Sequence, residues 1–183
     1  FEDDLIHKLE TLGGVKQWKY KPSIKTTEEL WNNFKRILEE NNQDKLDNPL
    51  SVSEFSQVKQ IITNLKTPYE AGKFLYGLNG VSQVEVDLDS GKHVYLTVFD
   101  QAQIGAGNTR YQVVNQIERE AVIPGFPNRR FDTTLLINGL PIIQIEEKAD
   151  YHDVDEALNQ MHRYIHEEQY GDIFSTLQIL VGM

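Results

Sequence analysis

The sequence contains no cysteine. That excludes disulfides and thiolate zinc sites, and it fits a reducing cytoplasm, where the protein is expected to reside. No apolar run approaches the roughly 20 residues that a membrane-spanning helix needs. No secretory signal precedes the first predicted element. Basic residues are in short supply: 18 Lys and Arg stand against 28 Asp and Glu, a net charge of -10 at pH 7. This balance counts against a domain that grips nucleic acid alone, because phosphate contacts use Lys and Arg. It suits a divalent-cation site, since such sites concentrate carboxylates. Internal repeats and low-complexity linkers are absent as well.

What remains is ordinary for a soluble domain. Hydrophobic residues make up 39% and charged residues 25% of 183 positions, enough for one core without covalent staples. The chain starts at Phe1 inside an expected helix and stops at Met183 directly after an expected strand, so a fragment of a larger protein is expected.

The first 80 residues read as mostly helical. "EDDLIHKLETL" places Leu5, Ile6, Leu9 and Leu12 on one helical face, and Gly13-Gly14 ends it. Thr26 and Glu29, then Ser51 and Glu54, have capping-box spacing ahead of apolar periodicity. "TPYEAGKFLYGL" has Pro68 at a first helical position. At Gly80 the pattern changes to that of a strand, with Val84, Val86 and Leu88 alternating. A turn at Ser90-Gly91 leads to "HVYLTVFD" and then "RYQVVNQIEREAVI". Asn138-Gly139 joins two further runs as a hairpin. "DVDEALNQMHRYIHEE" is a helix with Val154, Ala157, Leu158, Met161, Tyr164 and Ile165 inward, and a last strand spans about 176 to 181. Strand, long helix, strand predicts a right-handed crossover with the last strand parallel to an earlier one. The expected fold is α/β with a mixed sheet, in one domain over 1–183.

Chemistry concentrates at the open end of that hairpin, in "FDTTLLINGLPIIQIEEKAD". Alternation puts Ile143, Ile145 and Glu147 on one face, and Gln144, Glu146 and Lys148 on the other. An exposed edge strand carrying a surface ion pair would give the same pattern. A functional arrangement needs Asp132 beside Glu146. A simple two-residue loop at Asn138-Gly139 would set Asp132 opposite Ile145, whereas a bulge or longer loop shifts the register by one and sets it across from Glu146. Two carboxylates with a nearby backbone carbonyl form an oxygen-only cavity suited to magnesium. A lysine projecting to the same side could hold an attacking water or stabilise developing charge.

Asp132 followed by Glu146-Glu147-Lys148 resembles the Asp … Glu-x-Lys core of the PD-(D/E)xK nuclease superfamily. "NGLPIIQIEEK", "ALNQMHRYIHE", "GNTRYQVVNQ" and "FEDDLIHKLETLGG" are similar, in order, to segments of the R subunit of type I restriction-modification enzymes. The resemblance covers the whole chain, most closely about 108 to 166. It implies a restriction-endonuclease-like core with a helical part over about 1–80 and the catalytic sheet and helix over about 81–183. It implies Asp132 and Glu146 as metal ligands, Lys148 as the catalytic lysine, Ile145 as donor of its backbone carbonyl to the metal, and Glu2 near the metal. Gln160 and Tyr164, four apart on one helical face, would steady the site or touch DNA.

The implied cofactor is Mg2+, with Mn2+ as substitute. ATP would be used only by domains absent here, and the chain has no Gly-x-x-x-x-Gly-Lys-Ser/Thr loop. The implied partners are double-stranded DNA, the methyltransferase and specificity subunits, and the motor domains of the same subunit, with no membrane. The implied activity is endonucleolytic cleavage of DNA after ATP-driven translocation. A docking module that keeps the fold without cutting is the alternative, motivated by the acidity.

Three departures stand beside this resemblance: Phe131 where the superfamily name has proline, Glu147 where an apolar residue is common, and the net negative charge. Arg129-Arg130 could approach a phosphate or be a solvated loop. His152, His162 and His166 are read as surface residues, since "HRYIH" lacks the Glu of a zinc-protease helix. No role follows for Asn108 or Gln112.

Overall fold

The computed structural model describes residues 2–14, 17–148 and 154–183. Four helices precede the first long strand: α1 (Glu2–Thr11), α2 (Thr27–Asn41), α3 (Val52–Thr63) and α4 (Pro68–Tyr76). Three of them start on reciprocal capping boxes: Thr26 with Glu29, Ser51 with Glu54 and Thr67 with Glu70. Each box satisfies two otherwise orphaned backbone N–H groups and so fixes where the helix begins.

A three-residue strand, β1 (Trp18–Tyr20), interrupts this helical region. Its sequence "WKY" alternates, but three residues are too few to establish a strand periodicity. Trp18 nevertheless packs edge-to-face on Tyr111 at 5.2 Å. Then follow β2 (Val81–Asp87), β3 (His93–Asp100), α5 (Gln101–Ala106), β4 (Tyr111–Arg119), β5 (Arg129–Ile137), β6 (Leu140–Glu146), α6 (Val154–His166) and β7 (Ile179–Gly182). The short, exposed α5 has no apolar face to announce it in the sequence.

The strands form a mixed five-stranded sheet in the order β1-β4-β5-β6-β7, and a separate hairpin of β2 and β3. The outer pairs β1/β4 and β6/β7 are parallel, and β4/β5 and β5/β6 are antiparallel. The β6-α6-β7 connection therefore returns a parallel strand, as a crossover must. Residues 172–176 are a 3-10 turn, so the last strand begins later than the apolar run suggests.

Two cores sandwich the sheet. A small one holds Ile6 of α1 with Val113, Leu135 and Ile145. The large one joins α2 and α3 to the inner face of the β2-β3 hairpin through Phe34, Val58, Val86 and Leu96, and to Leu136, Phe131 and Tyr164. In α6 the buried stripe is Ala157, Met161 and Tyr164, while Leu158 and Ile165 are 44% and 53% exposed. The helix rests on one ridge, so the wider apolar face expected from periodicity is only half covered. Leu12 is likewise exposed, beyond the last turn of α1. The side chain of Val154 lies outside those described.

The hairpin turn at Asn138-Gly139 has positive φ at both residues, 49° and 85°. That is the backbone a two-residue type I′ turn demands. Ile137 pairs with Leu140 and Leu136 with Pro141, but Leu135 pairs with Ile143. One residue, Ile142, is thus bulged, and the register beyond it shifts by one. Every pair further from the turn inherits the shift, including the charged end.

Candidate active site

Because of the bulge, Thr133 lies opposite Ile145. The same register carried one step outward sets Asp132 beside Glu146, and their side chains interact, a juxtaposition that a plain hairpin would have denied. The Asp132 Oδ2 accepts a hydrogen bond from the backbone N–H of Glu147 at 2.9 Å. A second irregularity lies across the sheet. Asn115 pairs with Thr133 and Ile117 with Phe131, but between them Gln116 takes a left-handed φ of 55°. Val113 belongs to the α1 side, whereas Ile117 and Phe131 belong to the larger core. The strands thus change face beside Asp132. Positive φ in a residue other than glycine is uncommon, and such positions cluster at functional sites.

β6 is not an edge strand, and its polar face is not exposed. Gln144 and Glu146 are both fully buried. That removes the surface-pair reading of "QIEEK". The Glu146 carboxylate takes Gln144 Nε2 on Oε1 at 2.9 Å and Gln160 Nε2 on Oε2 at 2.6 Å. Gln160 also donates to the Tyr164 hydroxyl at 2.7 Å and accepts from Lys148 Nζ. Asp132, Glu146, Lys148, Gln160 and Tyr164 thus meet on the α6 side of the sheet. Tyr164 is buried and packs against Phe131 at 5.3 Å, so it is both a core residue and a hydrogen-bond partner in this network.

Electrostatics follow from burial. Desolvation first, then the charge of Asp132, pushes the Glu146 carboxyl up to about 8, and the two carboxyls share a hydrogen bond. Burial and then Glu146 push the Tyr164 hydroxyl up to about 12, so it keeps its proton at neutral pH. Two carboxylates this close, one of them fully buried, repel each other, and a cation between them would relieve the repulsion. Lys148 acts on Glu146 as a counter-charge, and its effect is smaller than those of burial and Asp132. Two carboxylates with the Ile145 carbonyl beside them are hard oxygen donors that fit Mg2+ or Mn2+. The Ile145 side chain itself is buried on the α1 side. Among the described residues, no group of three or more His, Cys, Asp or Glu side chains converges as a metal cage.

Glu2 is tied to β4. Its carboxylate accepts from Asn115 Nδ2 at 3.0 Å and from Gln116 Nε2. Its charge raises the carboxyl pKa of Glu147, after the larger effect of burial. Glu147 faces α1, where Thr133 Oγ1 donates to it at 3.0 Å. Arg129 is neither a solvated loop residue nor a free phosphate ligand: Glu167 takes its Nε at 2.7 Å and its Nη2 as well. The guanidinium also lies 5.5 Å over the Tyr164 ring. His162 and His166 are exposed on α6, and His152 lies outside the described residues. Gln112 is a buried partner of Asn33. The residue that sequence reasoning missed is Gln144, since a lone Gln in "IIQIE" gives no sign of what it faces.

The family model for the N terminus of the type I restriction enzyme R protein matches residues 6–183. The chain belongs to this family. An endonuclease subunit of a type I restriction enzyme from Staphylococcus aureus strain MSSA476 is 31% identical over 98% of this chain. A counterpart from Staphylococcus saprophyticus is 31% identical over 87% of the chain, and the EcoprrI endonuclease subunit of Escherichia coli is 35% identical over 51%. The chain spans 18% of the length of the first relative and 16% of the second. As a type I restriction R protein N terminus, it has the mixed sheet flanked by helices described above. Among its described residues, no helix is long and apolar enough to cross a membrane.

Proposed function

We propose that residues 1–183 form one magnesium-dependent nuclease domain, acting within a cytoplasmic type I restriction complex. Its substrate is double-stranded DNA, cut at phosphodiester bonds after motor domains of the same subunit have translocated it using ATP. The methyltransferase and specificity subunits are its other partners. The supporting observation is the apposition of Asp132 and Glu146 on the face where Lys148 is tied to Gln160.

Asp132, Glu146 and the Ile145 carbonyl would hold the cation. Bound there, it would supply Lewis-acid polarisation of the scissile phosphate. The chain's own residues do the rest. Lys148 presents a positive charge from the same side as Glu146, placed to hold an attacking water or to offset charge that builds on the phosphate. Gln160 fixes Lys148 through its oxygen and Glu146 through its nitrogen, so one amide sets the spacing of both groups. Tyr164 stays a neutral hydroxyl and anchors Gln160. The acidity of the chain assigns most of the grip on DNA to other parts of the complex.

Asp132→Ala, Glu146→Ala and Lys148→Ala should each abolish DNA cleavage by the assembled complex while ATP hydrolysis continues. Cutting retained by all three variants would overturn this reading. The net charge of -10 also motivates a silent docking module. Mn2+ binding that disappears in Glu146→Ala supports the nuclease, and no Mn2+ binding under any condition supports docking.

A further inference from the structure

We propose that Gln144, oriented by Thr134, is a positioning residue that holds the Glu146 carboxylate and the Ile145 carbonyl in the arrangement a divalent cation needs. The inference rests on the metal-dependent reading above and extends it to residues that no part of the Asp … Glu-x-Lys resemblance includes.

Thr134 and Gln144 are direct cross-strand partners in β5 and β6. Both are completely buried, on the sheet face that otherwise contributes Val114, Leu136 and Leu140 to the large core. An aliphatic pair would satisfy that core more simply, because each buried polar group must find a partner or cost free energy. Here the partners form a directed chain. Thr134 Oγ1 donates to Gln144 Oε1 at 2.6 Å, which turns the amide so that its nitrogen points along β6 toward the charged end. That nitrogen donates to Glu146 Oε1 at 2.9 Å and lies 3.4 Å from the Ile145 carbonyl oxygen. Thus one amide contacts two of the three groups assigned to the cation.

The opposite carboxylate oxygen is held by Gln160 from α6. The two amides clamp Glu146 from opposite sides, and they differ in origin. Gln160 comes from α6, whereas Gln144 is built into the strand that carries Glu146. The strand-borne clamp therefore holds Glu146 Oε1 from within its own strand. Side chains that orient metal ligands from behind commonly change metal affinity by roughly 10- to 100-fold when removed.

The test is Mn2+ titration of the full-length subunit, followed by electron paramagnetic resonance, counting only the binding lost in Glu146→Ala. Gln144→Met keeps length and flexibility but removes both polar atoms of the amide. It should weaken that component by roughly 10- to 100-fold, and DNA cleavage by the assembled complex should recover as Mn2+ is raised. Thr134→Val should weaken binding less, and Thr134→Ser, which keeps the hydroxyl, should bind as the native protein does. This second pair tests the idea even where Gln144→Met folds poorly. Unchanged Mn2+ affinity in both Gln144→Met and Thr134→Val, with Glu146→Ala inactive, overturns the positioning role alone. Full Mn2+ binding by Glu146→Ala overturns the metal site itself.

Discussion

Glu146 and Glu147 are neighbours in the chain and opposites in the fold. Glu146 turns toward α6, is fully buried, and touches Gln144, Gln160 and Asp132. Glu147 turns toward α1, is half-buried, and meets Thr133 and the charge of Glu2. Both have raised pKa values for the same first reason, burial, yet only Glu146 is pushed as far as about 8. Strand alternation sends them to different faces, and the single bulge at Ile142 decides which of them meets Asp132. Had the hairpin been regular, Asp132 would face Ile145 and the carboxyl pair would not exist.

The largest expected effect separates the two directly. Glu146→Ala should reduce DNA cleavage by the assembled complex below detection, whereas Glu147→Ala should keep it within about tenfold of native, the loss expected when no transition-state contact is removed. Equal loss from both would erase the distinction between the faces.

Stability should show the same asymmetry with the opposite sign. A carboxyl whose folded pKa lies above its unfolded one favours folding while protonated, so stability is fullest below about pH 4.3 and declines as pH rises toward about 8. Glu146→Gln removes that penalty. In metal-free protein it should raise the unfolding free energy near pH 8, by on the order of 1 kcal/mol. Near pH 4 the gain should vanish. Denaturant unfolding at the two pH values checks this, and Glu147→Gln should give a smaller gain.

The turn end of the hairpin offers a contrast of another kind. Gly139 has φ of 85°, and a Cβ there would come within 2.8 Å of the Phe34 Cα. Gly139→Ala should cost about 1–3 kcal/mol through strain and that backbone clash. Measured by thermal unfolding, its effect should be independent of pH, unlike that of Glu146→Gln. The smallest effect is assigned to Glu2→Gln. This variant keeps one oxygen acceptor for Asn115 and Gln116, and it should leave cleavage near the native level.

Much of this was legible in the sequence, for identifiable reasons. Capping boxes and the Asn138-Gly139 turn are local signals whose chemistry stays within four residues, and they appear where the residues dictate. The pairing of Asp132 with Glu146 was legible only as a condition, because a bulge is a compromise among packing contacts that no local pattern encodes. β1 and α5 were too short to be periodic. Polarity misled in one place: Gln144 and Glu146 look like an exposed face, but they are buried because their partners, Thr134, Asp132 and Gln160, arrive from elsewhere in the chain. The position of Glu2 depends on Asn115 and Gln116, more than a hundred residues away, and no local pattern links them to it.

Crystals of the protein soaked with Mn2+ test the central claim most directly, through the anomalous signal of the ion. The ion should lie against the carboxylates of Asp132 and Glu146 and the carbonyl of Ile145, on the α6 side of the sheet. An ion held instead by Glu147 and Glu2 on the α1 side, or no ion at any Mn2+ concentration, would contradict it.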